Sequence, residues 1–566
     1  MTDNTDLFIT KQLDEALSYH KNDDLEEAIT IYDAVLDHNP NQVQALHAKA
    51  IALAQQEDYK QARSLFENAL SVHPDHPIIL GNLANCHRRM GDVSSAKRCF
   101  LQSLAIQPTI AAHLNLAILY YDHDEIEPAI SAFSNALALN PLSSEARFNL
   151  ALCYLKKEMK AKAKGELERV IAHDPYHISA LLQLGKLYLD EQALLRARTC
   201  YEKVLLHDPQ QPQAHHNIGI ISLQEGDDAE GLASLEKAKS LDATINNIHH
   251  NLACVYLHKR QYKLALENWL QHVQYEPHDT HYNIGVCYLY MGRYQEAQDH
   301  FNFMLKRHPN HHATLVNLGA CALQQNHKDR AIAYYEQAQS LKPQDELAYI
   351  LAALRSESAQ QAPIGYVTDL FNQYAHNYDN HLNNVLSYQV PNALSQLIRQ
   401  SINPEDQSLR CLDLGCGTGL CGESIHRMCY HLSGIDAAQN MLDLAKKKNL
   451  YHDLTLGNIP AILHDFSAYD LVVAGDVFPY LGDIASTAQA LSKVVKKLGY
   501  LVFSTEKTSD VDYKLQDNAR FSHSFEYINR ILTGCGFALI SYENTHLRTQ
   551  QKDFVEGLCY VYRFNR

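Results

Sequence analysis

Prolines recur roughly every 34 residues along the first 345 positions of the chain, a spacing typical of stacked helical repeats. A residue with a small side chain lies about twelve positions before each proline, and a second small residue lies about twelve positions earlier still. Two antiparallel helices approach closely only where side chains are small, and proline disfavours helix in the residue before it. The pattern predicts about ten pairs of antiparallel helices over roughly residues 9–345. The prolines are Pro40, Pro74, Pro108, Pro141, Pro175, Pro209, Pro277, Pro309 and Pro343, with Ala243 in the remaining copy.

Asparagine occupies one fixed position in seven copies, two residues before the first small residue. These residues are Asn82, Asn115, Asn149, Asn217, Asn251, Asn283 and Asn317. The whole pattern resembles the tetratricopeptide repeat, which implies a superhelix with a concave groove lined by the first helix of each repeat. A similar asparagine ladder holds peptide main chain in the repeats of O-linked N-acetylglucosamine transferases, and a carboxamide both donates and accepts. We therefore expect a protein or peptide partner in the groove, with the alternative that asparagine only helps the helical turns to pack.

The repeat pattern and the local composition divide the chain into three segments. We predict a repeat array over residues 1–357, in which residues 346–357 form a capping helix that solvates the last repeat. Residues 358–365 are small and polar with a proline and a glycine, which indicates a linker. Residues 366–566 then form a second domain.

Charge and composition restrict the possible partners. The net charge is −16, and most of the acidic excess falls within residues 1–365. Nucleic-acid binders usually present basic surfaces, so nucleic acid is an unlikely partner. The start of the chain lacks the features of a secretory signal, no apolar run is long enough for a membrane span, and the thirteen cysteines are irregularly spaced. We expect a cytoplasmic protein with reduced thiols, without a membrane span and without a metal site.

The second domain alternates short apolar runs with helical segments, which predicts an open and mostly parallel α/β sheet. Its ligand crevice should lie beyond the carboxyl ends of the strands. The predicted strands are 409–414, 430–435, 470–475, 500–504, 537–542 and 558–564, with a further strand before Asn458.

A glycine-rich loop, DLGCGTGL, follows the first of these strands. Glycines let the backbone turn tightly and approach a ligand, and the next helix begins at this loop with free N–H groups. The G-x-G-x-G spacing differs from the dinucleotide fingerprint, although a nucleotide-binding loop of another class stays possible. Asp436 ends the second strand, where a carboxylate can accept from ribose hydroxyls.

These motifs resemble those of class I S-adenosylmethionine-dependent methyltransferases across residues 366–566. The resemblance implies a Rossmann-like domain with a seven-stranded, mostly parallel sheet, and S-adenosylmethionine as the methyl donor. It places Asp413, Gly415, Cys416, Gly417 and Gly419 around the methionine portion. It also implies Asp436 and Ala437 at the ribose, Asn458 and Ile459 at the adenine, and Tyr374 and Tyr378 in a covering segment near the sulfonium. Asparagine stands at 458 where most of these enzymes have an acidic residue, so that contact would be neutral.

Methyl transfer requires a group that orients or deprotonates the acceptor. Asp476 and Tyr480 follow the predicted fourth strand, Glu506 follows the fifth, and His523 lies on a later loop. We name Asp476, Glu506 and His523 as catalytic candidates, with a structural role as the alternative for each.

Three functions are consistent with the sequence. The leading hypothesis is a methyltransferase that modifies a protein or peptide recruited by the repeats. The second is a small-molecule methyltransferase whose repeats serve assembly or regulation. The third is a non-enzymatic scaffold with a cofactor-binding domain.

Overall fold

A computed structural model describes residues 2–245, 247–273, 277–375, 378–380, 382, 386–509, 511–550 and 553–566. The chain divides into two compact units, Met1–Asn268 and Trp269–Arg566. The division lies inside a helix of the repeats and not at residues 358–365. No helix within the described residues is long and apolar enough to cross a membrane.

The first unit is built from consecutive helices that pack as antiparallel pairs. They are α1 (Thr2–Lys21), α2 (Leu25–His38), α3 (Val43–Gln55), α4 (Tyr59–Val72), α5 (Pro77–Arg89), α6 (Val93–Ile106), α7 (Ile110–Asp122), α8 (Ile126–Leu139), α9 (Ser144–Lys156), α10 (Lys160–His173), α11 (Ile178–Asp190), α12 (Leu194–His207), α13 (Pro212–Gln224), α14 (Asp228–Leu241), α15 (Ile248–His258) and the first part of α16 (Tyr262–His272).

The small residues of the repeat lie where paired helices meet. Ala28 on α2 is fully buried. A Cβ atom added to Gly185 would lie 2.7 Å from the ring of Tyr201 on the partner helix, so a larger residue would force the two helices apart. Helix α2 ends at His38, two residues before Pro40, as the proline predicts. The predicted helical pairs are confirmed in this unit.

The second unit begins with the remaining repeats. Its first helices are the end of α16, α17 (Pro277–Tyr290), α18 (Tyr294–Arg307), α19 (His312–Gln324), α20 (Lys328–Leu341) and α21 (Asp345–Arg355). Leu347, Leu351 and Leu354 of α21 pack against the last repeat. Tyr349 and Ala353 pack on its other side against residues of the α/β domain. Helix α21 is therefore buried on two sides, unlike the solvating cap that the sequence suggested.

The α/β domain contains a nine-stranded sheet. Its strands are β1 (Leu409–Leu414), β2 (Cys429–Asp436), β3 (Asp453–Leu456), β4 (Tyr469–Ala474), β5 (Val495–Lys507), β6 (Tyr513–Leu515), β7 (Phe521–His523), β8 (Phe537–Gln550) and β9 (Asp553–Phe564). Its helices are α22 (Ile364–Tyr374), α23 (Tyr378–Asn380), α24 (Val390–Ser401), α25 (Leu420–Ile425), α26 (Gln439–Lys447), α27 (Ala485–Val494) and α28 (Phe525–Gly534).

Seven of these strands form the predicted sheet. Strands β3, β2, β1, β4 and β5 are parallel neighbours, β9 pairs antiparallel with β5, and β8 pairs antiparallel with β9. The predicted seven-stranded, mostly parallel sheet is confirmed. A short hairpin, β6–β7, adds to the end of β5, where the sequence suggested only a loop before a helix.

The sheet is buried on both faces, as parallel sheets usually are. Leu412 and Val472 contribute to the core on one face, which α27 and α28 cover. Cys411 and Val473, the adjacent residues along the same strands, contribute to the core on the other face beside α24 and α25. This packing fixes the carboxyl ends of β1, β2 and β4 as one edge at which a ligand pocket can form.

Candidate active site

A pocket lies at the carboxyl ends of the parallel strands. The loops after β1, β2, β3 and β4 line it, together with the segment before α22 and α22 itself. The lining residues are Gln361, Ala362, Ile364, Val367, Phe371, Tyr378, Gly415, Gly417, Asp436, Ala437, Gly457, Asn458, Ile459, Gly475, Asp476, Val477, Tyr480 and Leu481.

The glycine-rich loop meets this pocket at Gly415 and Gly417. Gly415 has a φ of +61°, and a Cβ atom there would lie 2.5 Å from Cγ2 of Val477. Both the left-handed backbone and the close approach of Val477 therefore require glycine at this position. The loop leaves a wall of backbone without side chains facing the cavity.

Asp436 joins the end of β2 to this loop. Its Oδ2 accepts a hydrogen bond from the N–H of Gly417 at 2.8 Å, and its Oδ1 accepts one from the N–H of Ala438 at 2.8 Å. The residue is only 8% exposed, and this burial raises the pKa of its carboxyl group although the backbone hydrogen bonds oppose the shift. Each carboxylate oxygen has a second lone pair, so Asp436 can accept further hydrogen bonds from a ligand.

The loop after β3 forms the neighbouring wall. Gly457 donates its N–H to the carbonyl of Asp436 at 2.9 Å, which holds the two loops together. Asn458 and Ile459 both line the pocket, as does Ala437. The structure therefore brings Asp436, Ala437, Asn458 and Ile459 together with the two glycines, which is the arrangement that the resemblance implies.

Four predicted cofactor residues do not line the pocket. Asp413 is fully buried and accepts a hydrogen bond from the hydroxyl of Tyr451 at 2.7 Å, while burial raises its pKa to about 7. Cys416 is buried, and Gly419 directly precedes α25 with a φ of +94°. Asp413 lies on β1, and Cys416 and Gly419 lie in the turn between β1 and α25. None of the three contributes to the pocket wall.

Tyr374 also lies outside the pocket, and its side chain is 49% exposed. The pocket-facing residues of α22 are Ile364, Val367 and Phe371, which are spaced as one face of a helix. Tyr378 does line the pocket, and burial raises the pKa of its hydroxyl well above the usual value. Of the predicted covering segment, residues 376–377, 381 and 383–385 lie outside the described residues.

Sequence reasoning missed the part of the wall that precedes the second domain. The backbone N–H of Ala362 donates to the carbonyl of Tyr480 at 3.0 Å, and Gln361 pairs with Leu481 as an isolated β-bridge. The ring of Phe371 lies 5.4 Å from that of Tyr480. The predicted linker thus packs on the pocket, and its small polar composition carried no signal for that contact.

Asp476 is the catalytic candidate that faces the pocket. It follows β4 with a φ of +63°, and its N–H donates to the hydroxyl of Ser504 at 3.1 Å. Its Oδ1 accepts a hydrogen bond from Nη2 of Arg520 at 2.6 Å. No described residue donates a hydrogen bond to Oδ2, so that oxygen can accept one from a ligand.

Glu506 is buried in ion pairs and does not line the pocket. Its Oε1 accepts hydrogen bonds from Nε of Arg520 and Nη2 of Arg548, both at 2.6 Å. Burial alone would raise the pKa of Glu506, but the two guanidinium groups hold it below its usual value. The candidate role as a base is corrected to that of a structural anion, because both cations compete for the carboxylate.

His523 also has a structural position. It is fully buried on β7, and its Nε2 lies 2.7 Å from the carbonyl oxygen of Leu481 and 3.1 Å from that of Gly482. A carbonyl only accepts, so Nε2 carries the hydrogen. Burial lowers the pKa of His523 to about 4. The predicted catalytic role of His523 is wrong, because its ring lies outside the pocket and is bound by main-chain carbonyls.

The seven asparagines of the repeats are all half-buried on the first helix of their repeat. The hydrogen bonds of these side chains are made by the amide Nδ2. Nδ2 of Asn82 lies 2.9 Å from Nε2 of His47, and Nδ2 of Asn251 lies 3.0 Å from Nε2 of His216. Burial lowers the pKa of His216, which favours the neutral ring that can accept from Asn251. Within the described residues no hydrogen bond reaches a side-chain oxygen of these seven asparagines, which we call the ladder. Nδ2 also donates a hydrogen bond in two further copies, from Asn217 to the carbonyl of Gln213 and from Asn317 to the hydroxyl of Tyr282.

Family models match both parts of the chain. Residues 412–503 match a model described as a methyltransferase domain. Two tetratricopeptide repeat models match residues 41–109 and 277–344, and residues 13–60, 114–178 and 182–246. The chain joins tetratricopeptide repeats to a methyltransferase domain.

Curated relatives that match part of this chain include two O-methyltransferases. A ubiquinone biosynthesis O-methyltransferase from Hydrogenovibrio crunogenus is 31% identical over 21% of this chain and 51% of its own. A malonyl-[acyl-carrier protein] O-methyltransferase from Serratia marcescens is 26% identical over 22% of this chain and 51% of its own. The chain spans about half the length of the curated relatives it matches.

Solved structures that match part of this chain include two tetratricopeptide repeat proteins. A tetratricopeptide repeat-containing protein from Cytophaga hutchinsonii is 15% identical, with a TM-score of 0.38 over 42% of this chain and 99% of its own. A tetratricopeptide repeat protein from Parabacteroides merdae is 19% identical, with a TM-score of 0.33 over 44% of this chain and 98% of its own.

Proposed function

We propose that the methyltransferase domain binds S-adenosylmethionine in this pocket and transfers its methyl group to an acceptor, with S-adenosylhomocysteine as the product. The observation that carries the proposal is the pairing of Asp436 with Gly417, which sets a hydroxyl-accepting carboxylate beside a bare backbone wall. Bound S-adenosylmethionine supplies an electrophilic methyl group on a sulfonium ion.

The residues present fit this cofactor. Asp436 would accept from the two ribose hydroxyls, and Gly415 and Gly417 would approach the methionine portion, where a side chain at 415 would meet Val477. Asn458 would accept from the adenine amino group through its side-chain oxygen. The aromatic ring of Tyr378 would face the cation, since aromatic faces attract positive charge.

Asp476 is the residue that we propose to act on the acceptor. An acceptor hydroxyl or amine must present a lone pair to the methyl carbon and must lose a proton. Oδ2 of Asp476 would accept a hydrogen bond from this hydroxyl or amine and then take its proton, while Arg520 donates to Oδ1. Both relatives named above are described as O-methyltransferases, which favours an oxygen acceptor.

We further propose that the acceptor is carried by a protein or peptide bound to the repeats. Within the described part of the chain no hydrogen bond reaches a side-chain oxygen of the seven repeat asparagines, which leaves these acceptors for a ligand. A cavity on the early repeats adds support, since Asn82, Asn85, Arg88, Arg89 and Asn115 form part of its lining. The alternative, a small-molecule acceptor, predicts no dependence on these residues. All thirteen cysteines are unpaired, which fits a reducing compartment such as the cytoplasm.

Transfer of label tests the proposal. The full chain is incubated with methyl-labelled S-adenosylmethionine and lysate, and label is measured in protein, nucleic acid and small molecules. We expect label in protein, loss of at least tenfold in Asp436→Ala, and no change in Asp443→Ala, an exposed aspartate on α26. Label confined to small molecules would overturn the protein acceptor, and equal transfer by Asp436→Ala would overturn the cofactor site.

A further inference from the structure

Four charged side chains meet beside the pocket, and we call them the acceptor-end cluster. They are Asp476 after β4, Glu506 on β5, Arg520 before β7 and Arg548 on β8. Their side chains are between 7% and 14% exposed. Two cations and two anions make the cluster neutral, so it offers no net charge to bind an ion. The arrangement instead suits a role in holding neighbouring side chains of the pocket in place.

Arg520 is the member of the cluster that contacts the most partners. Its Nη2 donates to Asp476 and its Nε to Glu506, both at 2.6 Å, while Nη1 donates to the hydroxyl of Tyr480 at 2.8 Å. The guanidinium also lies over the ring of Tyr480, with Cζ 5.0 Å from the ring centroid. All three nitrogens are engaged, which the single nitrogen of a lysine could not reproduce.

Two of these partners face the pocket and one does not. Asp476 and Tyr480 line it, whereas Glu506 and Arg520 are absent from its wall. Asp476 also has a left-handed φ of +63°, a conformation that costs energy in a residue other than glycine and persists when its surroundings hold it. Among the described partners of Arg520, Asp476 and Tyr480 are therefore the two through which it can affect the pocket.

The turn that carries Arg520 is held by the helix that follows the repeats. The hydroxyl of Tyr349 on α21 donates to the carbonyl of Ala519 at 2.9 Å, and this bond is buried. The ring of Tyr349 also lies 6.2 Å from that of Phe521. Residues 519 and 521 flank Arg520, so Tyr349 of α21 contacts the backbone on one side of it and a side chain on the other.

An exposed ion pair adds a weaker connection between this turn and the preceding helix, α20. Nζ of Lys328 on α20 lies 2.6 Å from a carboxylate oxygen of Asp517 in the β6–β7 turn. Exposed pairs contribute little, so we assign the placement of the turn to the buried Tyr349 contact.

We propose that Arg520 is a positioning residue that fixes Asp476 and Tyr480 at the acceptor end of the pocket, and that Tyr349 of α21 fixes Arg520. The inference rests on the proposed methyl transfer. It makes α21, the helix after the last repeat, a supporting part of the active site. The cofactor end, built on Asp436 and Gly417, does not depend on this contact.

The test compares cofactor binding with methyl transfer in the full chain. The variants are Arg520→Gln, Arg520→Lys and Tyr349→Phe, with Arg530→Gln and Tyr430→Phe as controls at exposed positions. The dissociation constant for S-adenosylhomocysteine is measured by calorimetry, and label transfer into lysate protein is measured at saturating S-adenosylmethionine.

We expect each variant to bind S-adenosylhomocysteine within about twofold of the wild type. Transfer should fall at least tenfold in Arg520→Gln, partly recover in Arg520→Lys, and fall roughly threefold to tenfold in Tyr349→Phe, with both controls unchanged. Tyr349→Phe removes only one hydroxyl, so it reports on positioning even where Arg520→Gln fails to fold.

Two other results have distinct meanings. Transfer within twofold of the wild type in both Arg520→Gln and Tyr349→Phe would overturn the positioning role, while loss of transfer in Asp436→Ala would leave the proposed function standing. A wild-type chain that neither binds S-adenosylhomocysteine nor transfers label would instead overturn the proposed function, and the positioning role with it.

Discussion

The carboxylate of Asp436 accepts a hydrogen bond from the backbone N–H of Gly417 at 2.8 Å. This bond ties the end of β2 to the loop that follows β1, so the residue proposed for the ribose and the loop proposed for the methionine portion hold one another in place. The two adjacent parallel strands bring these groups together.

Gly415→Ala should weaken cofactor binding at least tenfold and lower the free energy of unfolding by about 1–2 kcal/mol, since the new Cβ meets Val477 and the φ is positive. The dissociation constant for S-adenosylhomocysteine measures the effect on binding, and the unfolding temperature measures the effect on stability. Adding Val477→Ala should relieve the collision and leave the backbone strain. Full recovery in the double variant would contradict the strain component.

The stability of the methyltransferase domain should depend on pH through His523. The folded pKa is lowered to about 4, while an unfolded histidine has a pKa of about 6.5. Between these values the unfolded state binds a proton that the folded state does not, so stability falls as the pH drops from about 6.5 to 4. At about 1.4 kcal/mol per pKa unit, the loss is roughly 3 kcal/mol.

Unfolding of the wild type and His523→Gln at pH 7.5 and 5 measures this effect, using the transition that shifts when S-adenosylhomocysteine is added. Histidines elsewhere titrate in both proteins, so only the difference between them counts. The wild type should lose more stability than the variant on acidification. Equal losses would show that His523 titrates normally.

The ladder can be tested without breaking internal bonds. No hydrogen bond from a described residue reaches the side chain of Asn115 or Asn149, so alanine at both positions should leave the unfolding temperature unchanged. The lysate concentration needed for half-maximal label transfer should rise about fivefold or more, because each lost hydrogen bond contributes roughly 1 kcal/mol.

Asn68→Ala, at an exposed position on α4, is the matched control for the ladder variants. Unchanged transfer in the double variant would remove the ladder from substrate recognition and favour the small-molecule alternative.

The sequence was informative where function depends on local spacing. The proline and small-residue period predicts the helical pairs, because that contact repeats in every copy. The loop from Gly415 to Gly417 directly follows β1, and Asp436 ends β2, so both could be predicted from the short stretches of sequence around them. Pocket residues of this kind could be named before the fold was known.

The sequence was misleading where the role of a residue depends on contacts with residues that are distant in the chain. Glu506 and His523 have residue types suited to acid–base chemistry, but their roles are set by Arg520, Arg548 and the carbonyl of Leu481, which are remote in sequence. No motif marks these contacts. For the same reason the sequence could not show that the segment before α22 packs on the pocket.

Calorimetric titration of the full chain with S-adenosylhomocysteine tests the central claim most directly. We predict one binding site in the wild type and binding at least tenfold weaker in Asp436→Ala, since a lost hydrogen bond to a charged group costs about 1.5–3 kcal/mol. No binding by the wild type, or equal binding by the variant, would contradict the account.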